Sequence, residues 1–217
     1  MDRLVSLFRS SHPNGHPMNS KKGDVKERII RESIRLFLAN GFKGTSVEEI
    51  TKAAGVGKGT LYWYFKSKDE ILQSIFRKFE HDFVDTLIHA VAECKGDFIA
   101  KYKVYHKAAT EFARDDRELS LASNALLNEI VGTNTESEAI VRVVYEKYRL
   151  CVQQMLEDGK RDGSVNPELD SVLYSHVINA CHTGMLVQWF LNGEMLDVRA
   201  FVRTFRDAIL RMVTERA

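Results

Sequence analysis

The chain is predicted to be all-α, for three reasons. Proline stands only at positions 13, 17 and 167 of the 217-residue sequence, so nothing between the last two removes an amide from a helix interior. Apolar residues recur at three- and four-residue spacing, and no run alternates with the period of two that a strand requires. Capping residues and glycines then divide the chain into about nine helices.

The opening MDRLVSLFRSSHPNGHPMNS holds an apolar run too short for a signal peptide or a membrane span. Residues 1–23 are therefore expected to form a flexible tail, with Met18 as a candidate alternative start. The first helix is expected over 24–40, with Ile29, Ile30, Ser33, Leu36 and Phe37 facing inward and Gly41 stopping it. A double capping signal, Thr45-x-x-Glu48 or Ser46-x-x-Glu49, opens the second, in which hydroxyl and carboxylate satisfy free amides of the first turn. Val47, Ile50 and Ala54 share its inner face, and Gly55 sits where a helix ends in a left-handed residue, the conformation glycine adopts at least cost. Lys58 to Phe65 form a short third helix with small residues first and aromatics after, and Ser67-Lys68-Asp69-Glu70 is a capping box for the fourth. Helix, tight turn, helix is the arrangement that lays its second member in a DNA major groove. The fourth helix keeps its spacing through Ile71, Leu72, Ile75, Phe79, Phe83, Leu87, Ala90 and Val91 to near Cys94, long enough to leave one domain and enter the next. Further helices are expected over 97–114, 117–131, 136–161, 168–192 and 197–215, the fourth of these started by Asn166-Pro167 as cap and first helical residue.

Ile29, Leu36, Phe37, Gly41, Phe42, Thr45, Ile50, Ala54-Gly55-Val56, Lys58-Gly59-Thr60-Leu61-Tyr62, Phe65 and Ser67-Lys68 occur in one ungapped stretch. It resembles the DNA-binding domain of the TetR family of transcriptional regulators. Gly57 stands where that family usually has a serine cap, which weakens the helix start by only a few tenths of a kcal/mol. Trp63 and Tyr64 occupy positions where other members often carry smaller or more polar residues. The resemblance implies a helix-turn-helix domain over 24–68 and an effector-binding and dimerisation domain over 69–217.

Charge agrees with that division. From Lys21 to Lys68 there are eleven Lys and Arg against five Asp and Glu, whereas from Asp69 to Ala217 there are eighteen against twenty-four. A basic module joined to an acidic remainder fits DNA on one side only. Cys94, Cys151 and Cys181 are scattered and odd in number, so reduced thiols and a cytoplasmic location are expected. The histidines have no chelating spacing: His81 and His89 are eight residues apart on one helix, too far to hold one ion, and His176 and His182, six apart, point to different faces, so no metal or cofactor is expected. Gly57-Lys58-Gly59-Thr60 is similar to a phosphate-binding loop but has Lys52 where that loop needs glycine, Gly59 where it needs Ser or Thr, and no preceding strand. An enzyme is not expected; the alternative to a regulator is a helical ligand-binding adaptor without DNA binding.

DNA binding needs phosphate anchors and base readers. Lys58 brings a cation to a helix start, Gly59 admits close approach, and Thr60 can reach a base edge or phosphate. Tyr62 can offer its hydroxyl to a phosphate, Trp63 and Tyr64 their faces to thymine methyls, and Thr45 and Lys68 are expected to clamp phosphates from helix starts. The family resemblance supports Thr45, Lys58, Gly59, Tyr62, Tyr64 and Lys68 in such contacts, while Lys21, Lys22 and Lys26 are candidates for added backbone contacts. For a partly apolar effector the candidate lining residues are Phe79, Phe83, Tyr102, Tyr105, Phe112, Tyr145, Tyr148, Met155, Met185 and Trp189. Two stripes are candidates for a dimer interface: Leu173, Val177, Ala180, Cys181, Gly184, Val187 and Leu191, and Val198, Phe201, Val202, Phe205, Ile209 and Met212. Spacing alone leaves open whether they face a partner or their own core; the resemblance implies homodimers through the last two helices.

Overall fold

Helix α1 runs Ser20–Gly44, with one break at Gly41 (φ 75°, ψ 164°), a backbone position open only to glycine. In the computed structural model residues 20–215 are described, with side chains from Gly23; the expected tail up to residue 19, with Met18, lies outside them, as do the side chains of Lys21 and Lys22. The helix thus begins within the span assigned to the tail. Ile29, Ile30, Ser33 and Phe37 are buried and Leu36 is half-buried. Ile34, not expected inward, joins them in the core.

Helix α2, Val47–Ala54, is capped by Ser46 rather than Thr45: Ser46 accepts from the Glu49 amide, and the Glu49 carboxylate accepts from the Ser46 amide. It ends at Gly55 in the left-handed region (φ 62°, ψ 41°). Helix α3, Lys58–Tyr64, starts at Gly57 without a side-chain cap. Helix α4, Lys68–Phe79, is capped by Ser67, but the Glu70 carboxylate reaches the Lys66 amide at 2.6 Å, so the expected reciprocal box closes one residue early. The rod continues through a π-helical turn, Glu80–Asp85, into α5, Thr86–Glu93. This is the single long helix the sequence predicts, with one wider turn inside it.

Asp97 caps α6 (Phe98–Asp115), Asp116 caps α7 (Arg117–Ile130) and Thr135 caps α8 (Glu136–Asp162). Helix α9, Ser171–Asn192, starts later than expected because Asp170, not Asn166, accepts from the first amides, those of Val172 and Leu173. Asn166 instead closes a turn onto Leu169 and binds the Val213 carbonyl through its own amide. Helix α10, Val198–Thr214, is capped by Asp197. Counting α4 to α5 as one rod, nine helices and no strand occur among the described residues.

One core runs the length of the molecule. Ile50 of α2, Leu61 and Phe65 of α3, and Ile71 and Ile75 of α4 close the amino-terminal helices, and Phe76, Val84 and Leu87 carry the apolar contact down the rod to α6, α7 and α8. Each such fully buried side chain contributes about 1.5–3 kcal/mol. Helix α9 is different. Ser171, Ser175, Ile178, His182 and Met185 are buried, yet Leu173 (62% exposed), Val177, Val187 and Leu191 (73%) stand on the surface. Its apolar stripe therefore does not cover the protomer's own core. On α10 the stripe turns inward: Ile209 is buried and Phe205 and Met212 rest on the core.

Candidate nucleic-acid interface and effector cavity

Leu61 and Phe65, one turn apart on α3, are sealed in the core, which turns the opposite face outward. That face carries Lys58, Gly59, Thr60, Tyr62 (51% exposed) and Trp63 (65% exposed). Tyr64 is half-buried and meets the Trp63 ring edge-on at 4.5 Å. Lys58 forms an ion pair with Glu48 of α2. Their mutual hydrogen bond lowers the Glu48 carboxyl and raises the Lys58 ammonium from their ordinary values, so both stay charged. To reach a phosphate, Lys58 must leave that carboxylate.

Thr45 and Lys68 are corrections. Thr45 is 1% exposed, and its hydroxyl faces the carbonyls of Gly41 (2.8 Å) and Leu36 (3.2 Å). Lys68 donates to the carbonyls of Phe42 (2.6 Å) and Thr45 (2.7 Å) and lies 4.5 Å over the Phe42 ring. The physical reason is the break at Gly41: it strips the end of α1 of intrahelical partners, and orphan carbonyls need donors. A hydroxyl and a cation at helix starts are expected to face DNA; here they hold the joint between α1, α2 and α4. The same joint is gripped from α7, where the Glu129 carboxylate accepts from the amides of Phe42 (3.0 Å) and Lys43 (3.5 Å). Arg35 adds an exposed ion pair to Glu118 at 3.1 Å.

Of the expected effector residues, Phe79, Phe83, Phe112, Tyr145 and Tyr148 line one small cavity of about 30 Å³. Their rings interlock: Phe83 stacks on Phe112 at 4.7 Å, and Phe79 and Tyr148 lie 5.2 and 5.5 Å from Phe83. Tyr102, Tyr105, Met155 and Met185 are buried but do not line it. Trp189, half-buried at the far end of α9, stacks on Phe190 instead. Their helical spacing is as good as that of the lining residues; what separates them is which faces of distant helices meet. The polar lining, not among the expected residues, is Ser120 and Asn124 of α7 and His182 and Thr183 of α9.

Tyr145, Tyr148 and Thr183 also border a second, open groove of about 940 Å³ between α7, α8 and α9. Its charged residues are paired: Arg142 with Glu138, Arg149 with Glu146, and Lys147 with Glu80 and Asp85 across the π turn. The inner cavity has no charged side chain in its lining. Burial pushes the Tyr145 hydroxyl up to about 12 and raises Tyr148. Burial, reinforced by His106, holds His182 down to about 3, and burial holds His106 down to about 4. All four are neutral near neutral pH.

Residues 29–75 match the family of bacterial regulatory proteins of the tetR type. The fatty acid metabolism regulator protein of Bacillus subtilis is 25% identical over 185 residues, 84% of this chain and 92% of its own. The transcriptional repressor KstR2 of Mycolicibacterium smegmatis is 23% identical over 204 residues, 90% of this chain and 94% of its own. Among solved structures, FadR of Bacillus subtilis in complex with stearoyl-CoA superposes with a TM-score of 0.73 at 23% identity, covering 85% of this chain and 97% of that one. Among the described residues no helix is long and apolar enough to cross a membrane, and no three His, Cys, Asp or Glu side chains converge as a metal site.

Proposed function

Since the chain belongs to the TetR family of bacterial transcriptional regulators, we propose that it acts as a homodimeric repressor, released from a palindromic DNA operator by a small, partly apolar effector. The observation that carries this reading is the outer face of α3. Tyr62 and Trp63 stand out from a helix whose other side is closed against the core, a surface whose burial a major groove would supply. Lys58 exchanges Glu48 for a phosphate, Gly59 and Thr60 approach the backbone or a base edge, and Trp63 and Tyr64 meet thymine methyls and sugars. The half-sites lie about 34 Å apart or a multiple of it, and the protein works in the cytoplasm, beside its DNA.

The effector enters between the α4–α5 rod, α6, α8 and α9, parting the rings of the inner cavity. It need only prefer the DNA-incompetent spacing of the two α3 helices by about 1–3 kcal/mol. The stearoyl-CoA held by the similar FadR makes a long acyl thioester the first candidate. Its apolar chain suits the aromatic cavity, and its polar end suits the charged groove.

Selection of duplexes from a random library, followed by a salt titration, tests the reading. A palindromic consensus with a steep salt slope is expected. No enrichment by a folded dimer, even after unfolding and refolding to strip bound ligand, leaves a helical adaptor without DNA binding in its place. Tyr62→Phe is expected to weaken binding to all sequences alike with dimerisation unchanged, measured by fluorescence anisotropy and sedimentation.

A further inference from the structure

We infer that His182 is the polar reader of the inner cavity, its Nδ1–H donating a hydrogen bond to a neutral oxygen acceptor, a carbonyl, on an otherwise apolar effector. The inference rests on the reading of this cavity as the effector site. His182 is 2% exposed, lines the cavity, and has one protein hydrogen bond, between Nε2 and the Tyr102 hydroxyl at 3.0 Å; its Nδ1 has none. The tautomer follows from Tyr102. That hydroxyl is buried with His182 as its hydrogen-bond partner, so its proton must go to Nε2 or be left without an acceptor. With Nε2 accepting, the ring proton of a neutral imidazole sits on Nδ1, and a buried donor without an acceptor is costly. His106, whose ring centroid lies 5.4 Å away, donates Nε2–H to the Val202 carbonyl at 3.0 Å. Its Nδ1 is therefore a bare lone pair and cannot donate.

The rest of the lining sets the chemical class. No Lys or Arg reaches this cavity, and an anion desolvated there would have no counter-charge. The aromatic walls supply area for an apolar body, and among the polar groups of the lining, Ser120, Asn124 and Thr183 included, His182 Nδ1 is the buried one without a protein partner. Charged parts of a longer ligand belong beyond Tyr145 and Tyr148, in the open groove. A ligand wider than the present space of about 30 Å³ enters as those two rings turn.

The experiment uses the full chain labelled with ¹⁵N-histidine and three probes of similar size: acetophenone, cumene and benzoate. Long-range ¹H–¹⁵N spectra report each imidazole nitrogen, and fluorescence titration reports affinity. Acetophenone is expected to shift the His182 Nδ1 signal and to bind at least tenfold more tightly than cumene, about 1.4 kcal/mol. In the double variant His182→Phe, Tyr102→Phe, which removes both polar partners together, the two should bind alike. Equal binding of acetophenone and cumene to the unaltered protein, tightest binding of benzoate, or no binding of any probe would each overturn the assignment. A protein that binds none of them and still selects a palindromic duplex would lose this effector site but keep its role on DNA.

Discussion

At the scale of single residues, His106 and His182 make stability depend on pH. In the unfolded chain each titrates near 6.5; in the fold burial holds them down to about 4 and about 3. Below about pH 6.5 the unfolded state binds more protons, so their contribution is complete above that value and is lost as pH falls toward the folded values. The slope is about 1.4 kcal/mol per pH unit for each histidine. Urea midpoints measured from about pH 7 down to about pH 4.5 should fall, and His182→Asn should remove one histidine's share of the slope. Lys68→Ala should cost about 1–3 kcal/mol in a thermal melt, because it strands two carbonyls, and should leave the salt slope of DNA binding unchanged. Glu48→Gln should release Lys58 and raise affinity for all duplexes with the salt slope unchanged, because Lys58 reaches its phosphate in both proteins, while Lys58→Ala flattens the slope by about one unit. The sequence made the outward set of α3 legible, because Leu61 and Phe65 fix its inward face. It could not show that Thr45, Lys68 and Lys58 have protein partners, since those partners arise from the break at Gly41 and the approach of α2.

At the scale of elements, most helix ends were legible because capping is local chemistry. Ser46, Ser67, Asp97, Asp116, Thr135 and Asp197 each accept from an amide three residues on. The start of α9 was misread because two capping candidates, Asn166 and Asp170, compete four residues apart, and only the contact with Val213 turns the first into a loop. The π turn left no trace in the apolar pattern: Phe79, Phe83, Leu87 and Val91 keep an ordinary spacing. Such turns are frequent at functional sites; here the turn carries Phe83, which stacks on Phe112, and is clamped by Lys147. Near the end of α8, a Cβ on Gly159 would stand 2.5 Å from Val165 Cγ2 and 2.7 Å from Phe98 Cβ. Gly159→Ala should therefore destabilise the protein by about 1–3 kcal/mol, the range for overpacking, as read from a denaturation midpoint.

At the scale of the whole molecule, α9 is apolar on both sides, and a helix of that kind is covered on both sides. Its buried side meets the protomer; Leu173, Val177, Gly184, Val187 and Leu191 supply the other. A Cβ on Gly184 meets nothing in the protomer, so Gly184→Ala fits a monomer and crowds a close helix pair. Sedimentation should give dimers for the native chain and monomers for Leu173→Glu, Leu191→Glu, with loss of operator binding. The all-α class and the order of helices were legible because both follow from local periodicity. The membership of the cavity was not, since Met155, Met185 and Trp189 have the same helical spacing as its lining residues yet do not line it, and local spacing does not set which faces of distant helices meet.

The grip of Glu129 on Phe42 and Lys43 has a mechanical meaning. A reading head carried by the α4–α5 rod alone would swing like a pendulum, free to turn about its one support. A second support from α7, fastened beside the Gly41 break, makes the assembly a closed linkage. Such a frame has fewer ways to move than a pendulum, so a displacement of either support is passed to the head.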